Sequence, residues 1–150
     1  MFATGMIDDV LIANAYATDE ELNACAAVNP SILTFGIELE KELTDTERQI
    51  LDYEPKHVVR GDISEYMIRS TWPRVTFADQ SIPAANTRDL KQGDVVILND
   101  GYLKYKGELH IVTKDMPNDG RKNVIGHLPE YEHVLLDYIE PWKVFAFRIV

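Results

Sequence analysis

With 150 residues and a formal net charge of −10, the chain is long enough for one good hydrophobic core and lacks the general basic field that nucleic-acid binding needs. Its 45% apolar and 27% charged content are ordinary for a globular protein, and no run of about 18 apolar residues is present to span a bilayer. The opening Met1-Phe2-Ala3-Thr4-Gly5 has no basic region and no long apolar run, so it does not read as a secretory signal, and the lone Cys25 cannot form an internal disulfide, which fits a cytoplasmic setting.

Charge is unevenly distributed. Residues 1–56 carry twelve acidic and three basic side chains, whereas residues 57–150 carry thirteen acidic, twelve basic and all four histidines. The simplest reading is two segments with different histories, divided near residue 56.

Ile7 to Asn14 reads as a short buried strand, an apolar run fronted by Asp8 and Asp9. Thr18-Asp19-Glu20-Glu21 is a capping box, so a helix follows through Leu22 and Cys25 and stops before Pro30. That is one βα unit. Ser31 to Leu39 reads as a second strand, and Thr44-Asp45-Thr46-Glu47 repeats the capping-box pattern ahead of Ile50 and Leu51. A strand buried on both faces needs parallel neighbours, so this segment is expected to be the tail of a larger α/β domain. A self-contained acidic subdomain is the alternative.

After Pro55 the pattern turns to β. Strand signals fall on Val75–Ala78, on Leu90–Leu98 with its Gly93-Asp94 turn, on Lys104–Lys114, on Asn123–Ile125 and on Trp142–Val150. Asn99-Asp100-Gly101 and Pro117-Asn118-Asp119-Gly120 are turn signals. Glu132–Ile139 stays open between helix and strand. Short strands with closely spaced turns point to a small closed barrel.

The stretch Arg60 to Arg74 concentrates three arginines and two carboxylates around Tyr66, Met67, Ile68 and Trp72. As a helix it would be capped by Asp62, with Glu65 and Arg69 paired; as a strand, Tyr66, Ile68 and Ser70 would alternate against Glu65, Met67 and Arg69. Its arginines are either surface ion pairs or ligands for an anion. The histidines show no metal-binding spacing, and no nucleotide-binding or nucleophile-elbow motif is present, so neither metal nor cofactor is expected.

Several runs together resemble the C-terminal part of the bacterial 6-phospho-N-acetylmuramidase family. They are Ile7–Val10 with Asn14–Ala17, Arg60–Thr71, Asn86-Thr87-Arg88, Gly93–Asp100, Tyr105–Leu109, Lys114–Arg121 and Leu135–Ile139. The resemblance implies a mainly β chain: a cyclophilin-like small closed β-barrel over residues 57–150, preceded over residues 1–56 by a βα remnant of a TIM-type (β/α)₈ barrel. It implies a cytoplasmic glycoside hydrolase that cleaves the 6-phospho-N-acetylmuramyl–N-acetylglucosamine bond during peptidoglycan recycling, most of whose catalytic barrel is absent here. The two carboxylates such chemistry uses are therefore not assigned.

The partners implied are a phosphorylated amino sugar and the missing catalytic barrel, with no nucleic acid or membrane; a homo-oligomer is left open. An anionic sugar favours arginine, so Arg60 and Arg69 lead the expected substrate-binding residues, followed by Asp62, Arg74, Asn86, Asn118 and Arg121. Asn14 and Tyr16 join them as residues at the end of a barrel strand. The rival readings are a structural or interaction module, and a free-standing phosphosugar-binding domain.

Overall fold

The computed structural model describes residues 4–13, 16–62 and 64–150. Its strands are β1 (Leu33–Leu39), β2 (His57–Val58), β3 (Met67–Ser70), β4 (Asp94–Leu98), β5 (Leu109–Val112), β6 (Lys122–His127) and β7 (Val144–Ile149). They form one curled sheet in the order β2-β7-β1-β6-β4-β5-β3. The β1/β7 pair is parallel and the other neighbours are antiparallel.

Curling brings the two edges together. The Arg60 N–H donates to the Arg69 carbonyl at 2.9 Å, and Ser70 Oγ lies 2.9 Å from His57 Nδ1. The result is a nearly closed barrel, as the turn spacing predicts, with little edge left for pairing outside.

Two apolar layers hold it. Phe35, Ile37, Ile68, Val95, Ile97 and Phe145 fill the interior with almost no exposure, each contributing about 1.5–3 kcal/mol by burial. On the outer face of β3, β5, β4 and β6, the alternate residues Met67, Val96, Val112 and Val124 pack with Leu90 and Met116 from the covering loops. All five residues of β4 are therefore buried, which explains the unbroken run Val95-Val96-Ile97-Leu98.

Both capping boxes form. Thr18 caps α1 (Asp19–Ala26) and Thr44 caps α2 (Asp45–Leu51), each with its reciprocal glutamate. Helix α2 buries Glu47, Ile50 and Leu51, whereas α1 buries nothing.

Three expectations change, and one open reading is resolved. Residues 7–13 form neither strand nor helix, and Val10 and Leu11 are exposed; a buried strand needs neighbours on both edges, and the sheet passes elsewhere. Strand β1, expected in the first segment, lies inside the barrel's sheet between β7 and β6. Residues 72–76 form helix α3 (Trp72–Thr76) instead of leading into a strand, because Pro73 presets the first helical turn. The ambiguous segment is a 3₁₀ helix, Glu130–Tyr138, whose Glu132 accepts the Gly36 N–H at 2.6 Å where β1 and β6 splay apart.

Candidate functional site

Of the two readings of Arg60–Arg74, the strand wins where it matters. Alternation along β3 sends Ile68 and Ser70 inward and Met67 and Arg69 to the outer face. Register then sets Arg69 beside His110 on β5, His110 beside Val96 on β4, and Val96 beside Val124 on β6. Along this face runs a cleft of about 390 Å³. Met67, Leu98 and Met116 give it apolar surface, Tyr66, Tyr102 and Tyr105 give it rings, and Arg69, Lys122, Glu108 and His110 give it charge and polarity.

Glu108 organises the charges. Its side chain is 1% exposed, yet Oε1 meets Arg74 Nη1 at 3.2 Å and Arg60 Nη1 at 3.5 Å, and Oε2 meets His110 Nε2 at 2.9 Å. Burial alone would raise the Glu108 carboxyl; hydrogen bonding from His110 and the nearby Arg74 and Arg60 outweigh it and hold the carboxyl below its ordinary value. Burial pushes the fully enclosed His110 ring down, with Arg69 and Lys122 adding to that and Glu108 opposing it. The pair is thus a carboxylate accepting an N–H from a neutral imidazole.

Asp62 works on the solvent side. It takes Arg60 Nε at 2.7 Å and Arg69 Nη2 at 2.6 Å. Arg69 Nε, by contrast, is buried and has no hydrogen-bond partner among the described residues. Gly61, between Arg60 and Asp62, lies under Trp142: a β-carbon there would fall 2.5 Å from the indole.

At the far wall, Lys122 Nζ lies 3.2 Å from Asp119 Oδ1, while Arg121 pairs with Asp119 and stacks 4.3 Å over the Tyr102 ring. Arg74 sits 5.2 Å from the Tyr105 ring, and the two tyrosines meet edge-on at 5.3 Å. The neighbourhood contains Arg60, Arg69, Arg74, Arg121 and Lys122 against Asp62, Glu108 and Asp119. It is locally cationic on a chain of net charge −10.

The structure therefore gathers Arg60, Asp62, Arg69 and Arg74 at one end of the cleft, with Arg121 behind Tyr102 at the other. It places Asn86 and Asn118 in the covering loops. Asn86 has φ +47 and donates to the Val124 carbonyl at 2.9 Å; Asn118 donates to the Arg88 and Lys122 carbonyls. Tyr16 is 91% exposed and away from the cleft, and Asn14 lies outside the described residues.

Sequence reasoning passed over Glu108, His110, Lys122, Tyr102 and Tyr105. The signal for the first two was present: Lys106, Glu108 and His110 alternate against Gly107, Leu109 and Ile111, which puts an acid and an imidazole on one face of a strand. Among the described residues, no three His, Cys, Asp or Glu side chains converge to hold a metal ion, and no helix is long and apolar enough to cross a membrane.

Comparison with known proteins supplies the family. A crystal structure of an uncharacterized B. cereus protein is similar over 98% of this chain, with 44% identity and a TM-score of 0.89; the match spans 42% of that longer chain. A conserved Enterococcus faecalis protein of unknown function shares the fold over 77% of this chain and 30% of its own, at 23% identity and a TM-score of 0.63. This chain thus spans less than half the length of either. No curated protein matches it. The family model described as "6-phospho-N-acetylmuramidase, C-terminal" matches residues 33–148. By that match the chain belongs to the 6-phospho-N-acetylmuramidase family, of which it represents the C-terminal part.

Proposed function

We propose that this chain is the C-terminal part of a two-domain cytoplasmic glycosidase acting on 6-phospho-N-acetylmuramyl–N-acetylglucosamine in peptidoglycan recycling, and that its barrel helps to bind and cover the anionic sugar. The observation that carries this reading is Arg69: it lines the cleft, is held by Asp62 on its outer side, and keeps a buried Nε without a partner. A guanidinium held in this way at the cleft wall has the planar fork that suits a phosphate or carboxylate. Catalytic carboxylates belong, on this reading, to the preceding (β/α)₈ domain. The unburied helix α1 and the exposed Val10, Leu11, Tyr16 and Leu22 support a second body packed against residues 4–32.

Arg69→Ala in the full-length enzyme tests it. The expected result is a loss of kcat/KM of tenfold or more on the 6-phosphorylated disaccharide and a smaller loss on its dephosphorylated form. A change within about twofold on both removes Arg69 as a ligand.

One observation favours the rival reading of a structural module: Asp62 and Glu108 already pair with Arg60, Arg69 and Arg74. In that case the substitution lowers the melting temperature and leaves the kinetics alone.

A further inference from the structure

Arg69 and Lys122 stand on opposite walls of the cleft. Arg69 is on β3 and Lys122 on β6, with β5 and β4 between them. Three strand spacings separate the two strands by about 14 Å along the curled sheet. Register puts both on the same face: Arg69 faces His110, whose neighbour Val96 faces Val124, and Lys122 is two residues from Val124. Both side chains line the cleft.

Each cation is incompletely matched. Arg69 keeps a buried Nε without a partner. Lys122 shares Asp119 with Arg121, which already makes two bonds to Asp119 Oδ2, at 2.9 and 2.6 Å. Between the walls lie the apolar Leu98, the rings of Tyr102 and Tyr105, and the Glu108–His110 pair, whose carboxylate is already engaged by Arg60 and Arg74. The apolar and aromatic part of this surface suits the body of a sugar.

We infer that the cleft recognises one sugar by two anions at once, Arg69 and Lys122 each taking a different acidic group on opposite sides of the ring. This rests on the reading above that the cleft meets the phosphosugar, and it adds a requirement. A 6-phosphorylated muramic acid has both groups, a phosphate on C6 and a lactyl carboxylate on O3. The corresponding glucosamine 6-phosphate lacks the carboxylate, and unphosphorylated N-acetylmuramic acid lacks the phosphate. The fork of Arg69 and the flexible stem of Lys122 reach inward from the two walls, so neither has to serve both groups.

Calorimetric titration of the 150-residue chain with these three sugars tests the inference, using the wild type, Arg69→Gln and Lys122→Met. Both substitutions keep side-chain bulk, and thermal melts confirm folding before titration. The wild type should bind the doubly anionic sugar about tenfold more tightly than either singly anionic one. Each variant should lose its preference over one of those two, and the variants should lose different ones. Loss of the same preference in both, of neither, or no preference in the wild type overturns the inference. Full-length kinetics at Arg69 separate the two failures. A large loss there with no split between variants leaves the binding role of the cleft standing, whereas unchanged kinetics remove that role itself.

Discussion

Glu108 Oε1 meets Arg74 Nη1 at 3.2 Å, joining the start of β5 to helix α3 through a carboxylate that solvent hardly reaches. The same carboxylate takes Arg60 from beyond β2 and His110 from β5. Two stretches that are distant in sequence, Arg60–Arg74 and Glu108–His110, thus meet on one buried charge. Such a charge is costly to bury and is retained only where its partners are in place.

Removing it should therefore be expensive. Glu108→Ala leaves Arg60, Arg74 and His110 without their shared acceptor, and a broken buried pair typically costs about 3–5 kcal/mol. Urea denaturation monitored by Trp fluorescence measures this. In a double-mutant cycle, Glu108→Gln with Arg74→Met should show coupling of about 0.5–3 kcal/mol. A loss below about 1 kcal/mol for Glu108→Ala would mean that solvent already screens the cluster.

The two capping boxes look alike in sequence and should behave differently. Thr44→Ala removes the acceptor of the Glu47 N–H on a helix that buries Ile50 and Leu51, so it should lower global stability by about 1 kcal/mol. Thr18→Ala removes the same bond from α1, which buries nothing. It should reduce far-UV helicity slightly and leave the barrel's unfolding midpoint in place. Equal shifts in the midpoint would show that α1 is coupled to the core.

That contrast shows what a sequence carries. Caps, turns and strand alternation are local, so Thr18, Thr44, the Gly93-Asp94 turn and the outward set of Arg69 are readable without coordinates. The placement of β1 is not. Its parallel pairing of Leu33 with Phe145 joins residues more than a hundred positions apart, and no local pattern selects that partner. The break in charge near residue 56 follows surface composition, whereas the core draws Phe35 and Ile37 from before the break. Site residues divide in the same way. Arg60 and Arg69 stood out as a dense polar stretch, but Lys122 and Glu108 become neighbours of the cleft only through β5 and β6.

Gly126 marks the tightest crossing. It pairs with Leu39 on β1 and Val95 on β4, beside the irregularity between Val95 and Val96. A β-carbon there would fall 2.3 Å from the Glu38 carbonyl oxygen, which is backbone and cannot rotate away. Gly126→Ala should cost about 1–3 kcal/mol, as overpacking does. Hydrogen exchange of the Glu40 amide, which donates to the Ile125 carbonyl across this pair, should speed up before the rest of the sheet. Unchanged protection at Glu40 would show that β1 and β6 can separate without cost.

His57 makes stability depend on pH. The ring is 1% exposed, stacks on Phe145 with centroids 5.0 Å apart, and has both nitrogens engaged: Nε2–H donates to the Leu51 carbonyl and Nδ1 accepts from Ser70. Burial lowers its pKa to about 4, against opposing backbone contacts from Leu51 and Ile50 and with a small push from Lys56. The ordinary value is 6.5, so between pH 6.5 and about 4 the unfolded chain holds a proton there that the folded chain refuses. Stability therefore falls as pH drops through that window, by up to about 3 kcal/mol from this ring, and levels off for this group below about 4. Lowered His110 adds a loss of the same sign. His57→Gln should flatten part of the dependence of unfolding free energy on pH between 6.5 and 5, where carboxylates contribute least. Ring-proton NMR of the folded chain should show His57 untitrated until about pH 4; a midpoint near 6.5 would mean that the seam between β2 and β3 is open to water.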